Sequence, residues 1–403
     1  MAIIYLLLLM APQVVLYLYL RERLPDPTRP ARARVAGIGL AAVFGLFNLP
    51  WLVVLRRVAS GSVWGVGRIP YLAPWIAWQL LSWVLCALIA AYVIGKGVVW
   101  AGRRVSRRVA STHLEPGRPP SLPSRRRFLA NATYAYAVGG LGLSTYGIWE
   151  ADRLPEVTHT TLFLPGLPKV FDGLRVVHLS DVHAGIHMER DKMQAIVALA
   201  NGQRPDLVLQ TGDMIDISPS YVPEYVRAFR DLAAPLGVVT CLGNHDRYTG
   251  ETIVVKGVRD AGQIFVKNGA HLIERDGAAL ALLGIDDPHA WTADDPQPRE
   301  IDLALRAAPP GAFPILLAHR PGAFDGAALR NIPLTLAGHI HGGQIYVPLL
   351  GWSAGSLITK YVMGHFRQGS SQLYVSRGIG VVGVPIRLFV PPEIAVLELR
   401  ASA

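Results

Sequence analysis

The sequence predicts an α/β fold preceded by an α-helical transmembrane region, and three observations carry that reading. Short β-branched runs at 174–179, 206–210 and 237–242 each end in polar side chains, at positions 181, 213 and 244, about one βαβ unit apart. The stretches between and after them, 191–201, 223–232 and 252–262, have the periodicity of helices packed on a sheet. Hydrophobic residues make up 51% of the 403-residue chain, with long uncharged runs before residue 101.

Those runs come first in chain order. Residues 2–20 are apolar except for Gln13, long enough to cross a hydrocarbon core of about 30 Å. Residues 35–55 form a second expected span, and 71–100 contain a third with Lys96 as the sole charge. Arg21, Arg23, Arg29, Arg32 and Arg34 fill the first loop, whereas the second holds Arg56, Arg57 and Arg68. The third loop, 102–127, runs from Arg103 to Arg127 and is the most basic. An excess of arginine marks cytoplasmic loops, so the amino terminus is expected outside. Ser124-Arg125-Arg126-Arg127-Phe128-Leu129-Ala130 resembles a twin-arginine export signal, with Ala130 where that pattern has lysine. Residues 130–149 are then expected to cross outward. The expected organisation is a membrane region at 1–128, a fourth span within 129–153 and a catalytic domain at 154–403. The protein is accordingly expected to be a multi-pass cell-membrane protein with that domain outside the cytoplasm.

The net charge of +10 is unevenly placed. Residues 1–154 hold 18 Lys and Arg against 5 Asp and Glu, and residues 155–403 hold 21 against 24. A nucleic-acid partner for the second part is therefore not expected. The two cysteines, Cys86 and Cys241, both sit in apolar runs, and no disulfide between them is expected. After the helical stretches, 271–274 and 278–283 read as a hairpin around Asp276-Gly277.

Five strand ends deliver the chemistry. They are Asp181-Val182-His183, Gly212-Asp213, Gly243-Asn244-His245-Asp246, His319 after an apolar run, and Gly338-His339-Ile340-His341. Ligands of open α/β sheets bind at such carboxyl ends. Each end alone is ordinary, because a lone strand-end Asp is usually a cap and a lone His a satisfied surface or core residue. Their coincidence at five ends is what points to a site. Oxygen donors with imidazole and no thiolate suit Mn, Fe or Zn. The nine Asp, Asn and His side chains in these motifs exceed what one four-coordinate ion takes. Asp216, three residues after Asp213, reads equally as an acceptor behind the site and as a loop cap. His178 alternates inward on its strand and reads as core. Gly378, Gly380 and Gly383 read as a turn, since no Lys-Ser/Thr follows to make a phosphate loop.

The five motifs, in this order, resemble the calcineurin-like metallophosphoesterase superfamily over residues 157–400. The tail from Tyr374 to Glu393 is similar to that of a bacterial membrane-associated branch, which includes proteins like UDP-2,3-diacylglucosamine pyrophosphatases. The resemblance implies a four-layer α/β/β/α sandwich and two divalent metal ions. One ion would take Asp181, His183 and His341, the other Asn244, His319 and His339, with Asp213 bridging. His245 would protonate the leaving group, and Asp246 is the expected orienting partner of its imidazole. The implied activity is hydrolysis of a phosphomonoester, phosphodiester or pyrophosphate. A non-catalytic metal-binding sensor or scaffold is the alternative; intact His245 and Asp246 argue against it. The apolar runs 345–352 and 357–363 follow His341 closely. They read either as a buried hairpin or as a lip beside the metals, and the lip would fit a lipid-linked substrate presented at a membrane.

Overall fold

The computed structural model describes residues 142–402 except 288–293 and 384, with isolated positions (13, 14, 17, 18, 38, 41, 42, 45, 82 and 139) before them. The chain divides into two compact units, Met1–Thr145 and Tyr146–Ala403. The second unit is built on two six-stranded sheets.

In the first sheet the order is β1 (Glu156–Pro165), β14 (Glu393–Ser402), β2 (Leu174–Leu179), β3 (Leu207–Thr211), β4 (Val238–Cys241) and β5 (Ile264–Phe265). β2 through β5 run parallel, as crossover helices require, and the last strand of the chain enters between β1 and β2, antiparallel to β2. The second sheet runs β12 (Gly364–Gln368), β13 (Ser371–Val375), β9 (Leu334–Ala337), β8 (Phe313–Leu317), β7 (Ala278–Gly284) and β6 (Gly269–Arg275). A small two-stranded ribbon, β10 (Tyr346–Val347) and β11 (Trp352–Ser353), stands apart from both.

Alternation along the strands builds the layers. Leu174 and Val176 of β2 join Leu207, Leu209, Val239, Leu280, Leu282, Ile315 and Leu336 in a core between the two sheets. Val177 and Leu179 face the other way, onto α1 (Arg190–Gly202), α2 (Val222–Phe229) and α3 (Asn244–Asp260). The far face of the second sheet, through Leu283 and Leu316, packs on α4 (Pro298–Arg306) and α5 (Ala323–Ala328). Helices thus cover the outer face of each sheet, giving the α/β/β/α order. His178 is fully buried and its Nε2 lies 2.9 Å from Thr211 Oγ1, as expected of a core residue.

The β6–β7 turn uses Asp276 and Gly277, with φ of 48° and 78°. Positive φ at both central residues matches the twist of a two-residue hairpin. The third helical stretch starts earlier than expected: α3 begins at Asn244 and breaks at Gly250, where φ is 120° and ψ 102°. Only glycine reaches that backbone region readily. Cys241 is buried and unpaired.

The expected multi-pass membrane placement is corrected. Among the described residues, no helix is long and apolar enough to cross a membrane. The first three expected spans, their basic loops and the twin-arginine-like stretch lie outside the described residues, apart from the isolated positions. The described part of the fourth is helical over residues 142–152 and ends in Glu150, Asp152 and Arg153. Its last turns are built into the second unit. Tyr146 stacks on Phe389 at 5.2 Å, the Gly147 carbonyl accepts from Arg387 N at 2.9 Å, and Glu150 and Ala151 are buried. Protein packing takes up part of that end of the run, while Leu143 and Trp149 remain exposed.

Candidate metal centre

The carboxyl ends of β2, β3 and β4 in one sheet and of β8 and β9 in the other bring the expected residues together. Three groups of possible ligands have donor atoms within 4.8 Å of one another: Asp181, His183 and His341; His183, Asp213 and His245; Asp213, His319 and His339. Asp213 belongs to two of them. Its Oδ1 accepts from His245 N at 2.8 Å, while Oδ2 lies 3.2 Å from His319 Nε2 and 3.6 Å from His183 Nε2. Asn244 Oδ1 is 3.2 Å from His319 Nε2, and His339 Nδ1 is 3.1 Å from the same atom. On the other side His183 Nε2 and His341 Nε2 are 3.2 Å apart, and His341 Nε2 is 3.3 Å from Asp181 Oδ1.

Tight loops achieve this convergence. Asp181, His183, Asp213, His339 and His341 all have left-handed backbone, with φ between 49° and 71°. Such conformations cost about 1–3 kcal/mol each in a residue with a Cβ and persist only where the surroundings enforce them. The motif glycines remove obstructions. A Cβ on Gly243 would overlap the Asp213 carboxylate, and one on Gly338 would overlap Ser180 and Asp181. His319 is aimed from behind, since its Nδ1–H donates to the Thr211 carbonyl at 2.8 Å and leaves Nε2 facing Asp213. A backbone partner of this kind selects the tautomer of a ligating histidine.

The electrostatics favour cations. Burial by itself would depress His319, yet Asp213, with Asp181 and Asp287 behind it, raises its pKa to about 10. Burial holds His339 and His341 well below the usual imidazole range, assisted by the positive neighbours His319 and Arg320 for the first and His183 and Arg387 for the second. Their rings are neutral and can offer lone pairs. Buried carboxylates and imidazoles converging on both sides of one carboxylate, Asp213, fit two divalent ions.

His245 stands beside this cluster, its ring edge-on to His183 at 4.7 Å. The structure corrects its expected partner. Asp246 is fully buried and spends both oxygens on backbone, accepting from Ile215 N and Gly243 N, each at 3.0 Å. It caps α3 and does not hold the imidazole. Asp216 does: His245 Nδ1 donates to the Asp216 carbonyl at 2.7 Å and lies 3.3 Å from Oδ1 of the same residue. That carboxylate also sits 3.6 Å from His183 Nδ1. Burial works to lower the His245 pKa, but Asp216 and Asp213 outweigh it and lift it to about 9.

Three contributors escaped the sequence reading. Arg320, next to His319, is buried against Asp287 through Nε at 2.7 Å and lies 3.4 Å from His339 Nε2. Adjacency to His319 was a usable signal for it. Asp287, just past β7, and Arg387, near the carboxyl end, carry none.

Fold and site together define a metallophosphoesterase. The profile described as calcineurin-like phosphoesterase matches residues 174–343. Metallophosphoesterase YkuE of Bacillus subtilis (strain 168) is 31% identical over 291 residues, spanning 69% of this chain and 98% of that protein. Phosphodiesterase YaeI of Escherichia coli (strain K12) is 30% identical over 288 residues, covering 68% and 99% respectively. A Danio rerio transmembrane protein with metallophosphoesterase domain is 30% identical over 269 residues, covering 64% and 61%. The chain belongs to the calcineurin-like phosphoesterase family.

Proposed function

We propose that the protein hydrolyses a phosphoester with two divalent ions, Mn, Fe or Zn. The place of Asp213 carries this reading, since it converges with His183 on one side and with His319 and His339 on the other. Asp181, His183 and His341 would hold one ion, and Asn244, His319 and His339 the other, with Asp213 between them. When bound, such a pair acidifies a water and neutralises charge at phosphorus. The remaining work falls to the chain. With a pKa of about 9, His245 is protonated at neutral pH. Asp216 engages its Nδ1, leaving the Nε2 proton for the leaving oxygen. Asp246 keeps α3 capped so that Asn244 and His245 stay in register.

In a finer form of the same reading, the substrate is a lipid-linked phosphoester. Support comes from the β10–β11 ribbon and the turn after it, where Leu349 is 98% exposed, Leu350 76%, Leu357 78% and Ile358 62%. That ribbon is tied to the His341 turn, since Ser353 Oγ donates to the Gly342 carbonyl at 2.7 Å. Apolar chains would lie over these leucines while the metals hold the phosphate.

Metal analysis alongside a phosphoester panel tests the reading. Wild type is expected to bind two equivalents, and Asp213→Asn to lose both ions and activity. His245→Ala should keep both ions and lose rate by about 10²–10⁴-fold, the contribution of a positioned acid. A His245→Ala protein without metal would refute its role as a non-ligand acid. Wild type that binds two ions and turns over none of the panel would favour the sensor reading instead.

A further inference from the structure

Arg387 is the largest fully buried side chain in the structure and belongs to none of the five motifs. Its Nη2 donates to the carbonyls of Arg377, Gly378 and Gly380 at 2.9, 3.1 and 2.6 Å, and Nη1 to that of Val390 at 3.1 Å. Its charge is met by carbonyl dipoles and, among the described residues, by no direct carboxylate contact, a costly way to bury a cation. The segment it gathers lies directly on one half of the metal centre. Ile379 N donates to the Ser180 carbonyl at 3.0 Å, and Gly380 N to that of Asp181 at 2.7 Å. Gly378 has a φ of 70°, and a Cβ there would come within 3.0 Å of Asp181 Cβ and 3.2 Å of His341 Nδ1. The guanidinium itself is 3.3 Å from His341 Nδ1.

From this arrangement we propose that Arg387 is a positioning residue for the Asp181–His183–His341 half of the centre. Its planar fork clamps residues 377–380 as a strap over Asp181 and walls the His341 ring from behind, so that His341 Nε2 already faces Asp181 and His183 before an ion arrives. Nη2 meets the loop carbonyls while Nη1 meets Val390, and only arginine holds two such donor nitrogens in one rigid plane. The other half takes its alignment from Thr211, on His319 Nδ1, and does not depend on Arg387. The inference rests on the two-metal reading above.

The test uses the full chain, with Mn²⁺ binding measured by equilibrium dialysis and the Co²⁺ form by visible absorption. Wild type should bind two ions. Arg387→Met and Arg387→Lys should each keep one ion at wild-type affinity and bind the other about 10- to 100-fold more weakly, the usual cost of losing a partner behind a ligand. The Co²⁺ bands of the weakened site should change with it. Lysine keeps the buried cation but cannot tie the 377–380 carbonyls to that of Val390, so it should not rescue. Hydrogen exchange on metal-free wild type needs no variant: the Ile379 and Gly380 amides should be protected, and metal should add little. Two ions bound at wild-type affinity by Arg387→Lys, or free exchange at those amides without metal, would overturn the proposal. Wild type binding fewer than two ions would instead remove the two-metal reading beneath it.

Discussion

At the scale of single residues, the pairing of His245 with Asp216 has a consequence for pH. An imidazole raised above its ordinary value is protonated below that raised pKa and loses its proton as pH rises through it. As the proposed general acid, with its pKa raised to about 9 by Asp216 and Asp213, His245 would set an alkaline limit on kcat/KM. Divalent ions nearby push against the charged ring, so the limb in the metal-loaded enzyme should fall at or below that value. In Asp216→Asn the carboxylate that raises the pKa is gone, and the limb should move down toward the ordinary imidazole range. The pH profiles of the two proteins decide this, and coincident alkaline limbs would exclude Asp216 as the partner. The same comparison with Asp246→Asn should show a loss of stability with no comparable shift, since Asp246 meets only backbone amides.

Secondary-structure elements position the chemistry through their ends. β2, β3 and β9 finish in residues with left-handed backbone, and the cost of that strain is offset by the buried strands that hold each loop in place. The connection between β10 and β11 turns the apolar side chains of Leu349 and Leu350 to solvent. Contiguous exposed apolar surface of this kind is uncommon unless it binds something. Replacing Leu349 and Leu350 together by serine should leave hydrolysis of a soluble headgroup phosphoester unchanged. It should cut kcat/KM for the acylated analogue by about tenfold or more, since each fully buried leucine contributes roughly 1.5–3 kcal/mol. Equal wild-type rates on the two substrates would exclude the lipid-linked reading.

For the molecule as a whole, the centre lies where two sheets meet. Asp181, His183, Asp213 and Asn244 come from the ends of the first sheet, and His319, His339 and His341 from the second. Ions held by both sets, as proposed, would cross-link the halves, and their binding energy would add to folding stability. One ion at a hundred times its Kd contributes about 2.7 kcal/mol. At about 2–4 °C per kcal/mol for a domain of this size, metal should raise Tm by roughly 5–10 °C per ion. Thermal unfolding of chelator-treated and metal-loaded protein measures this. An unchanged midpoint would mean that the two sheets do not share the ions.

The residues that converge at the candidate centre could be picked out in the sequence because polar residues at the tips of apolar, β-branched runs are local facts. Asp181, Asp213, Asn244, His319 and His339 each announce themselves within a few residues of a strand. Helix and strand alternation and the Asp276-Gly277 turn were likewise local, since period and φ preference belong to short segments. The partners of those residues were not legible. Asp246 follows His245 directly, yet α3 carries its carboxylate back to Gly243, while the loop after β3 folds Asp216 against the imidazole. Arg387 reaches His341 across 46 positions of chain, along a path set by the insertion of β14 beside β2. Hydropathy at 130–149 recorded a preference for leaving water, but packing of Tyr146 and Gly147 against residues 386–389 determined what takes up its described end. Side-chain type and local period are properties of neighbouring residues, whereas contact depends on where the whole backbone returns, and only the tertiary structure decided that.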